Sequence, residues 1–224
     1  MIRIVSLAIL DLLPFPSGIL FALKEKAENG QDKISFYSYD VSTNSIATVT
    51  RSAYLLTKFG PAYMKIAEKL NDHISCDTVK LYNGGLFLLY SSGETGLFDD
   101  QGNLLRTDKL LYQDAPARDG AADDKYVWSV VPERNSIIKY SVTQNRVLMR
   151  IGGDDSTVFS APSSVLCDER YLYVCNPGAK KINRVDLKNY TVEDFKRFDE
   201  PVYQYIVNEG HEYVVLSSGV YLLK

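Results

Sequence analysis

The sequence predicts an all-β protein, a β-propeller of about five four-stranded blades that forms a single domain over residues 1–224. Three observations predict it: a repeat of short strands joined by polar turns, a last repeat that lacks one strand, and a spare strand at the start of the chain. The composition agrees, because the chain contains 16 tyrosines and 9 phenylalanines, and aromatic residues favour pleated, half-buried strands.

Two segments of the chain align without a gap. Residues 126–153 and residues 171–198 each read as three short strands separated by polar turns, and Pro132 falls on Pro177. The stretch SSVLCDER, residues 163–170, supplies a fourth strand upstream of the second copy. Four antiparallel strands in roughly 42 residues is the spacing of a propeller blade.

The same frame of strands and turns fits other parts of the chain. Residues 86–110 match it, and residues 19–52 match it with a lengthened first turn. In the last unit, VYQYIVN (residues 202–208) is the innermost strand and residues 213–224 supply only two more, so the N-terminal strand Ile2–Ala8 is left over to complete that blade against Tyr221–Leu223. Such closure removes unpaired strand edges. One turn position of the frame is an aspartate in three units: Asp40, Asp99 and Asp186.

One segment does not fit the strand repeat. Between the first and second blades, Pro61 stands at a position suited to the first turn of a helix, and Tyr63, Ile66, Ala67 and Leu70 follow at helical spacing. These residues predict one short inserted helix near 61–71. The alternative is an extension of a strand.

Residues 171–187, YLYVCNPGAKKINRVDL, resemble the repeat unit of the NHL and YncE-like propeller families. The resemblance is sharp over the third and fourth units and dim elsewhere. Those families mostly have six or seven blades, so a count of five departs from them. The resemblance implies the fold and not an activity, because propellers serve both as enzymes and as binding platforms.

Composition limits the classes of partner. A net charge of −3 provides no basic surface for nucleic acid or anionic lipid, so neither nucleic acid nor membrane is expected as a partner. The three cysteines have no CxxC spacing, and we expect free thiols and no cofactor. The apolar N-terminal run is interpreted as a strand and not as a signal peptide, which predicts a soluble, cytoplasmic protein.

Catalytic chemistry has few candidates in this sequence. Neither a GxSxG motif nor a phosphate-binding glycine loop is present. Asp77 and Asp119 fall in predicted innermost strands and could face each other as paired carboxylates. They define the alternative function, a hydrolase or lactonase with an acidic, calcium-binding axial channel. The competing explanation is that Asp119 and Gly120 form a turn. His73 and His211 are expected at the surface.

A binding surface is the favoured interpretation. The turns between the second and third strands of each blade should converge on one face, and their mixed charges suit a protein or peptide partner. The leading prediction is therefore a non-catalytic binding or scaffolding propeller; a merely solvated face and, last, a carbohydrate-binding propeller are the alternatives. The predicted partner-binding residues are Lys24, Glu94, Glu133, Arg134, Asn135, Lys180 and Lys181.

Overall fold

The computed structural model of the protein describes residues 1–6, 9–27, 29–67, 76–123 and 126–223. These residues form five four-stranded antiparallel sheets, each a propeller blade with its strands side by side. The predicted fold class, an all-β propeller of five four-stranded blades with a short helical insertion, is confirmed. No helix in the described part of the chain is long and apolar enough to cross a membrane.

The elements follow the chain in the predicted order of blades. The chain starts with β1 (Ile2–Val5). The strands of blade 1 are β2 (Ile9–Phe15), β3 (Gly18–Lys26), β4 (Asp32–Asp40) and β5 (Ser45–Val49). The helices that follow are α1 (Arg51–Phe59) and α2 (Tyr63–Ala67). The strands of blade 2 are β6 (Cys76–Lys80), β7 (Leu86–Tyr90), β8 (Glu94–Phe98) and β9 (Leu104–Lys109).

A small hairpin separates blades 2 and 3, and three further blades complete the chain. The hairpin strands are β10 (Leu111–Tyr112) and β11 (Ala115–Pro116). The strands of blade 3 are β12 (Arg118–Asp123), β13 (Tyr126–Val131), β14 (Ser136–Ser141) and β15 (Arg146–Gly152). The strands of blade 4 are β16 (Ser164–Cys167), β17 (Tyr171–Asn176), β18 (Lys181–Asp186) and β19 (Val192–Arg197). The strands of blade 5 are β20 (Val202–Asn208), β21 (His211–Leu216) and β22 (Gly219–Leu223), with β1 as the fourth.

The N-terminal strand completes blade 5, as the repeat predicted. β1 pairs antiparallel with β22, with Ile2 opposite Leu222 and Val5 opposite Val220. Residues 7 and 8, the end of the predicted strand, lie outside the described residues. A glycine is required at the start of β22, because a Cβ on Gly219 would lie 2.0 Å from the carbonyl oxygen of Val5.

The chain divides into two compact units, residues 1–75 with 206–224 and residues 76–205. In the first unit, one cluster of buried apolar side chains includes Leu12, Phe21 and Tyr213. In the second unit, two clusters of buried apolar side chains contain residues of blade 3.

Strand β13 contributes side chains to both of these clusters. Successive side chains of a strand point to opposite faces of its sheet. Val127 and Val131 therefore join one cluster, with Phe87 of blade 2, while Trp128 and Val130 join the other, with residues of blade 4. Both faces of β13 are buried, which explains its almost uninterrupted apolar sequence.

The helical insertion starts earlier than predicted. Thr50 caps α1, and its hydroxyl accepts a hydrogen bond from the Ala53 amide at 3.2 Å. The helix ends at Gly60, whose φ of 72° is typical of a helix C-terminus. Pro61 therefore lies in a short 3₁₀ turn after α1, and the insertion begins at Arg51 rather than near residue 61. Residues 68–75 lie outside the described residues.

The first strand of blade 1 also differs from the prediction. The sequence predicts an innermost strand around FPSGI, residues 15–19, ahead of the repeat that starts at residue 19, but residues 9–15 form this strand as β2. Pro16 and Ser17 instead form the turn into β3, where Ser17 has a φ of 61°. The error arose because the apolar N-terminal run supplies two strands, β1 and β2, rather than one.

Candidate functional site

In blades 2, 3 and 4, the turn between the second and third strands lies at the end of the sheet where the fourth strand also ends. In each blade, the residue that follows the fourth strand donates its amide to the carbonyl of the turn's last residue. These bonds join Leu110 to Gly93 at 2.7 Å, Gly153 to Asn135 at 3.0 Å, and Phe198 to Lys180 at 2.9 Å. We name residues 91–94, 132–135 and 177–181 the turn surface; they comprise these three turns and, in blades 2 and 4, the first residue of the following strand.

The turns of blades 3 and 4 have the same backbone conformation. Pro132 and Pro177 each begin a 3₁₀ turn, which confirms their predicted alignment. Asn135 and Lys180 end these turns with φ of 45° and 53°. Asparagine adopts this left-handed conformation readily, whereas lysine does so at some energetic cost.

Arg134 and Asn135 connect the turn of blade 3 to neighbouring segments. The Arg134 guanidinium donates two hydrogen bonds to the Gln113 carbonyl, from Nε at 3.2 Å and from an Nη at 2.8 Å. The Asn135 Oδ1 accepts from the Ala161 amide at 2.8 Å. Both predicted binding residues therefore fix the segments between blades, and their polar atoms are only partly available to a partner.

The acidic and basic residues of the turn surface differ in exposure. Glu133 pairs with Arg118 at 2.5 Å, and 43% of each side chain is exposed. Glu94 and Lys180 are exposed, and the Lys180 ammonium donates to the Asp199 carbonyl at 3.0 Å. Lys181 was predicted to lie at the surface, but only 17% of its side chain is exposed, and it pairs with Asp194.

Lys24, the remaining predicted binding residue, belongs to the first unit. It lies on β3, which forms with β4 a hairpin much longer than the corresponding turns of blades 2, 3 and 4. Its ammonium is 2.7 Å from the Asp32 carboxylate, and both side chains are well exposed. The lengthened first turn of the repeat is therefore an extension of two strands.

Asp77 and Asp119 link the first strands of three consecutive blades. The Asp77 Oδ2 accepts a hydrogen bond from the Asp119 amide at 2.9 Å. The Asp119 Oδ2 accepts in turn from the Val165 amide at 2.7 Å. Asp119 occupies a bulge in β12 with a φ of 47°. The structure places the two residues next to each other, and each uses a carboxylate oxygen to bind the main chain of the next blade.

A buried polar cluster in the first unit was not predicted. Lys58 and Tyr54, one turn apart on α1, both contact the Asp11 Oδ2 at 2.5 Å. The Lys58 side chain is 1% exposed and that of Asp11 is 11% exposed. The helical spacing of Tyr54 and Lys58 was the available signal, but their partner lies more than 40 residues away in the chain. The cluster attaches the helical insertion to β2.

Blade 3 contains an aromatic side chain with a charged partner. The Trp128 indole donates to the Asp123 Oδ2 at 3.2 Å. The Lys139 ammonium binds the same oxygen at 2.9 Å and lies 4.5 Å from the centre of the Tyr126 ring. Trp128 is completely buried. The Asp123 carboxylate therefore provides a hydrogen-bond acceptor for both the indole N–H and the Lys139 ammonium.

Blade 4 repeats this arrangement with different residues. The Tyr173 hydroxyl donates to the Asp168 Oδ2 at 2.9 Å, and the Arg184 guanidinium lies 4.4 Å from the centre of the Tyr171 ring. Burial and the hydrogen bond to Asp168 raise the pKa of Tyr173 to about 12. Phe195 packs against the Tyr173 ring at 5.0 Å.

The cysteines and the metal-binding residue types offer little chemistry. Cys76, Cys167 and Cys175 are free thiols. Burial raises the pKa of Cys167 and of Cys175 to about 12, so both thiols stay protonated at neutral pH and are poor nucleophiles. No group of three or more His, Cys, Asp or Glu side chains in the described ranges could hold a metal ion. His211 is exposed, and His73 lies outside the described residues.

Comparisons with known proteins identify the class of fold. No protein-family model and no curated protein matches the chain. Among solved structures, the chain is similar to virginiamycin B lyase from Staphylococcus aureus, with a TM-score of 0.54, 11% identity, and coverage of 93% of this chain and 77% of the lyase. It is also similar to U3-55K, with a TM-score of 0.54, 15% identity, and coverage of 97% and 61%.

A third similar structure contains the RRP9 WD40 repeats, with a TM-score of 0.53, 14% identity, and coverage of 94% of this chain and 58% of that one. This chain therefore spans less than two thirds of the U3-55K and RRP9 structures. At identities this low the likeness concerns the fold alone. Together with the five four-stranded sheets, it defines the protein as a five-bladed β-propeller.

Proposed function

We propose that this protein is a non-catalytic binding propeller that presents the turn surface to a protein or peptide partner. The observation that carries the proposal is the repeated hydrogen bond that fixes each turn to the end of its own blade. A surface held in one arrangement loses little conformational freedom on binding, which favours affinity. Glu94, Glu133 and Lys180 supply exposed charges of both signs on this surface.

The contacts of the candidate catalytic residues also support a binding role. Asp77 and Asp119 each engage a main-chain amide of the next blade, which is a structural use of a carboxylate. The finer likeness to NHL and YncE-like propellers is part of the proposal. It is supported by residues 171–187, whose strand and turn positions match the repeat on which that likeness rests.

A hydrolase or lactonase is the second candidate function. Its support is the proximity of Asp77 and Asp119, since the amide of one residue binds the carboxylate of the other. Paired carboxylates can act as general acid and base. The variant Asp119→Asn separates the two functions: it should leave partner binding unchanged, whereas an enzyme that depends on this pair would lose turnover of model esters and lactones, with or without added calcium.

Affinity capture from native lysate tests the binding proposal. The double variant Glu94→Lys/Lys180→Glu reverses two exposed charges of the turn surface. The control, Lys188→Glu, changes an exposed lysine in the β18–β19 turn, which lies at the opposite end of the strands of blade 4. We expect the control to retain the wild-type partners and the double variant to lose them. Identical partners for all three proteins would contradict the proposal.

A further inference from the structure

The outer strand of blade 1 differs from the outer strands of the other blades. β5 reads Ser-Ile-Ala-Thr-Val and contains no charged residue, and every side chain in it is exposed or partly exposed. The other outer strands all contain charged residues. Their ranges are Ile2–Val5, Leu104–Lys109, Arg146–Gly152 and Val192–Arg197.

One edge of β5 is open. Residues 45–49 pair with residues 36–40 of β4 in a regular register without a bulge. In the part of the chain that the structure describes, no strand pairs with the other edge of β5. Proteins usually protect such edges with charges, proline, bulges or a covering segment, because exposed backbone groups recruit another strand. β5 has no charge, proline or bulge.

Both ends of β5 are held in place. In the turn before it, the Asp40 Oδ1 accepts hydrogen bonds from the Ser42 hydroxyl at 2.6 Å and from the Ser42 amide at 2.8 Å. The Tyr39 hydroxyl donates to the Asn44 Oδ1 at 3.0 Å. After β5, Thr50 caps α1. The edge is therefore a preformed template, and pairing with it requires little further ordering of this chain.

We propose that β5 pairs antiparallel with β5 of a second copy of this chain. The two blades would then form one continuous sheet across a two-fold axis. Full overlap of two five-residue strands requires this axis to pass through the middle residue. Ala47 then lies opposite Ala47, and Ile46 lies opposite Thr48.

The composition of β5 favours a second copy over a foreign strand. The side chains of directly opposed residues in an antiparallel pair interact, and like charges there are destabilising. Self-pairing of β5 places no charge opposite another, and it matches β-branched side chains across the axis. A charged peptide would meet no complementary charge on β5. A pair of five-residue strands buries little surface, so the dimer is weak and depends on concentration.

Sedimentation velocity between about 5 and 500 μM tests the dimer. We expect the wild type to convert from monomer to dimer over this range. Ala47→Lys and Ala47→Glu should each remain monomeric, because like charges would face each other across the axis. An equimolar mixture of the two variants should dimerise again, since lysine then faces glutamate. This recovery also shows that both variants are folded.

The matched control is Leu105→Lys on β9, where the leucine is 61% exposed on another outer strand. This variant should dimerise like the wild type. A wild type that is monomeric at the highest concentration would overturn the proposal, and it would leave a strand from another protein as the occupant of β5. The proposal would also be overturned if Ala47→Lys formed dimers in the absence of Ala47→Glu, or if Leu105→Lys failed to form them.

Discussion

Blades 3 and 4 are built on one pattern but use it in different surroundings. In both, an aromatic residue of the second strand donates a hydrogen bond to an aspartate near the end of the first strand, from Trp128 to Asp123 and from Tyr173 to Asp168. In both, a cation of the third strand lies over an aromatic ring. The partner of that cation differs. Lys139 in blade 3 pairs with the same aspartate that binds the indole.

Burial explains this difference between the two blades. Trp128 is completely buried in the apolar cluster shared by blades 3 and 4, so Lys139, whose side chain is 14% exposed, needs a carboxylate in the same interface. In blade 4, Arg184 is 30% exposed and pairs with Glu193, which is 58% exposed. A buried charge must be paired, whereas an exposed pair contributes little to stability.

Removal of the aromatic side chain from the second strand should affect blade 3 more than blade 4. Trp128→Ala should lower the free energy of unfolding by about 3–5 kcal/mol, because it leaves a large cavity between two blades. Tyr173→Ala should cost about half as much, since Tyr173 is only partly buried. Urea denaturation of the two variants checks this order. Equal losses would show that burial does not distinguish the two blades.

The partners of the two cations provide the next test. Asp123→Asn should cost about 1–3 kcal/mol, because Lys139 then lacks its carboxylate in a mostly buried position. Glu193→Gln should change stability by less than about 0.5 kcal/mol, since its pair with Arg184 is exposed to solvent. The double variant Asp123→Asn/Lys139→Met should recover part of the loss. Absence of recovery would mean that the buried lysine is not the cause.

The links between first strands differ between the blades as well. Blade 3 uses the Asp119 carboxylate to bind the Val165 amide, while at blade 4 the Ser163 hydroxyl donates to the Tyr203 carbonyl at 2.6 Å. Asp119→Ala should cost about 1–2 kcal/mol and Ser163→Ala about 0.5–1 kcal/mol, because hydrogen bonds to charged groups are stronger. Thermal denaturation measures both losses.

Asp119→Asn is the control for that test. An asparagine side chain retains an acceptor oxygen and tolerates a positive φ, so this variant should lose less stability than Asp119→Ala. If both variants lose the same amount, the hydrogen bond to Val165 does not stabilise the link.

The smallest expected effect concerns acid stability. The Lys181 ammonium beside Asp194 lowers the pKa of that carboxyl. A carboxyl with a lowered pKa in the folded state stabilises the protein above its unfolded pKa, near 4, and this contribution is lost as the pH falls through the folded value. Asp194→Asn should therefore flatten the decline of stability below about pH 4.

In blade 3, Arg150 lies opposite Ile138 of the third strand, as Asp194 lies opposite Asn183 of the third strand in blade 4. An arginine does not titrate in the acid range, so Arg150→Gln should leave the slope of stability against pH unchanged below about pH 4. Denaturation midpoints measured between about pH 2 and 6 test both variants. A flattened slope in Arg150→Gln would contradict the assignment to Asp194.

Much of the fold was predictable because its signals are local. The alignment of the third and fourth repeats placed Lys139 with Arg184, and the strand register confirms it: Lys139 lies opposite Trp128, and Arg184 lies opposite Tyr173. The three frame aspartates were also placed correctly. Asp40, Asp99 and Asp186 each begin the turn between the third and fourth strands, and each accepts a main-chain amide two residues on.

The candidate site was predictable only in outline. In blades 2, 3 and 4, the turn between the second and third strands does lie at the end of the sheet where the fourth strand ends. The burial of Lys181, however, depends on Asp194 of the neighbouring strand. The bonds that Arg134 makes to the Gln113 carbonyl depend on a hairpin between two blades. Neither partner follows from the pattern of the turn itself.

Most of the strands, their order along the chain and the completion of blade 5 by β1 follow from the amino-acid sequence alone, because alternation, turn residues and repeat spacing act over a few neighbouring residues. The polar contacts between residues far apart in the chain depend on the folded structure. Asp119 binds the amide of Val165, and Lys58 and Tyr54 bind Asp11. Such contacts form when packed blades and helices bring distant segments within hydrogen-bonding distance, and no local pattern encodes that distance.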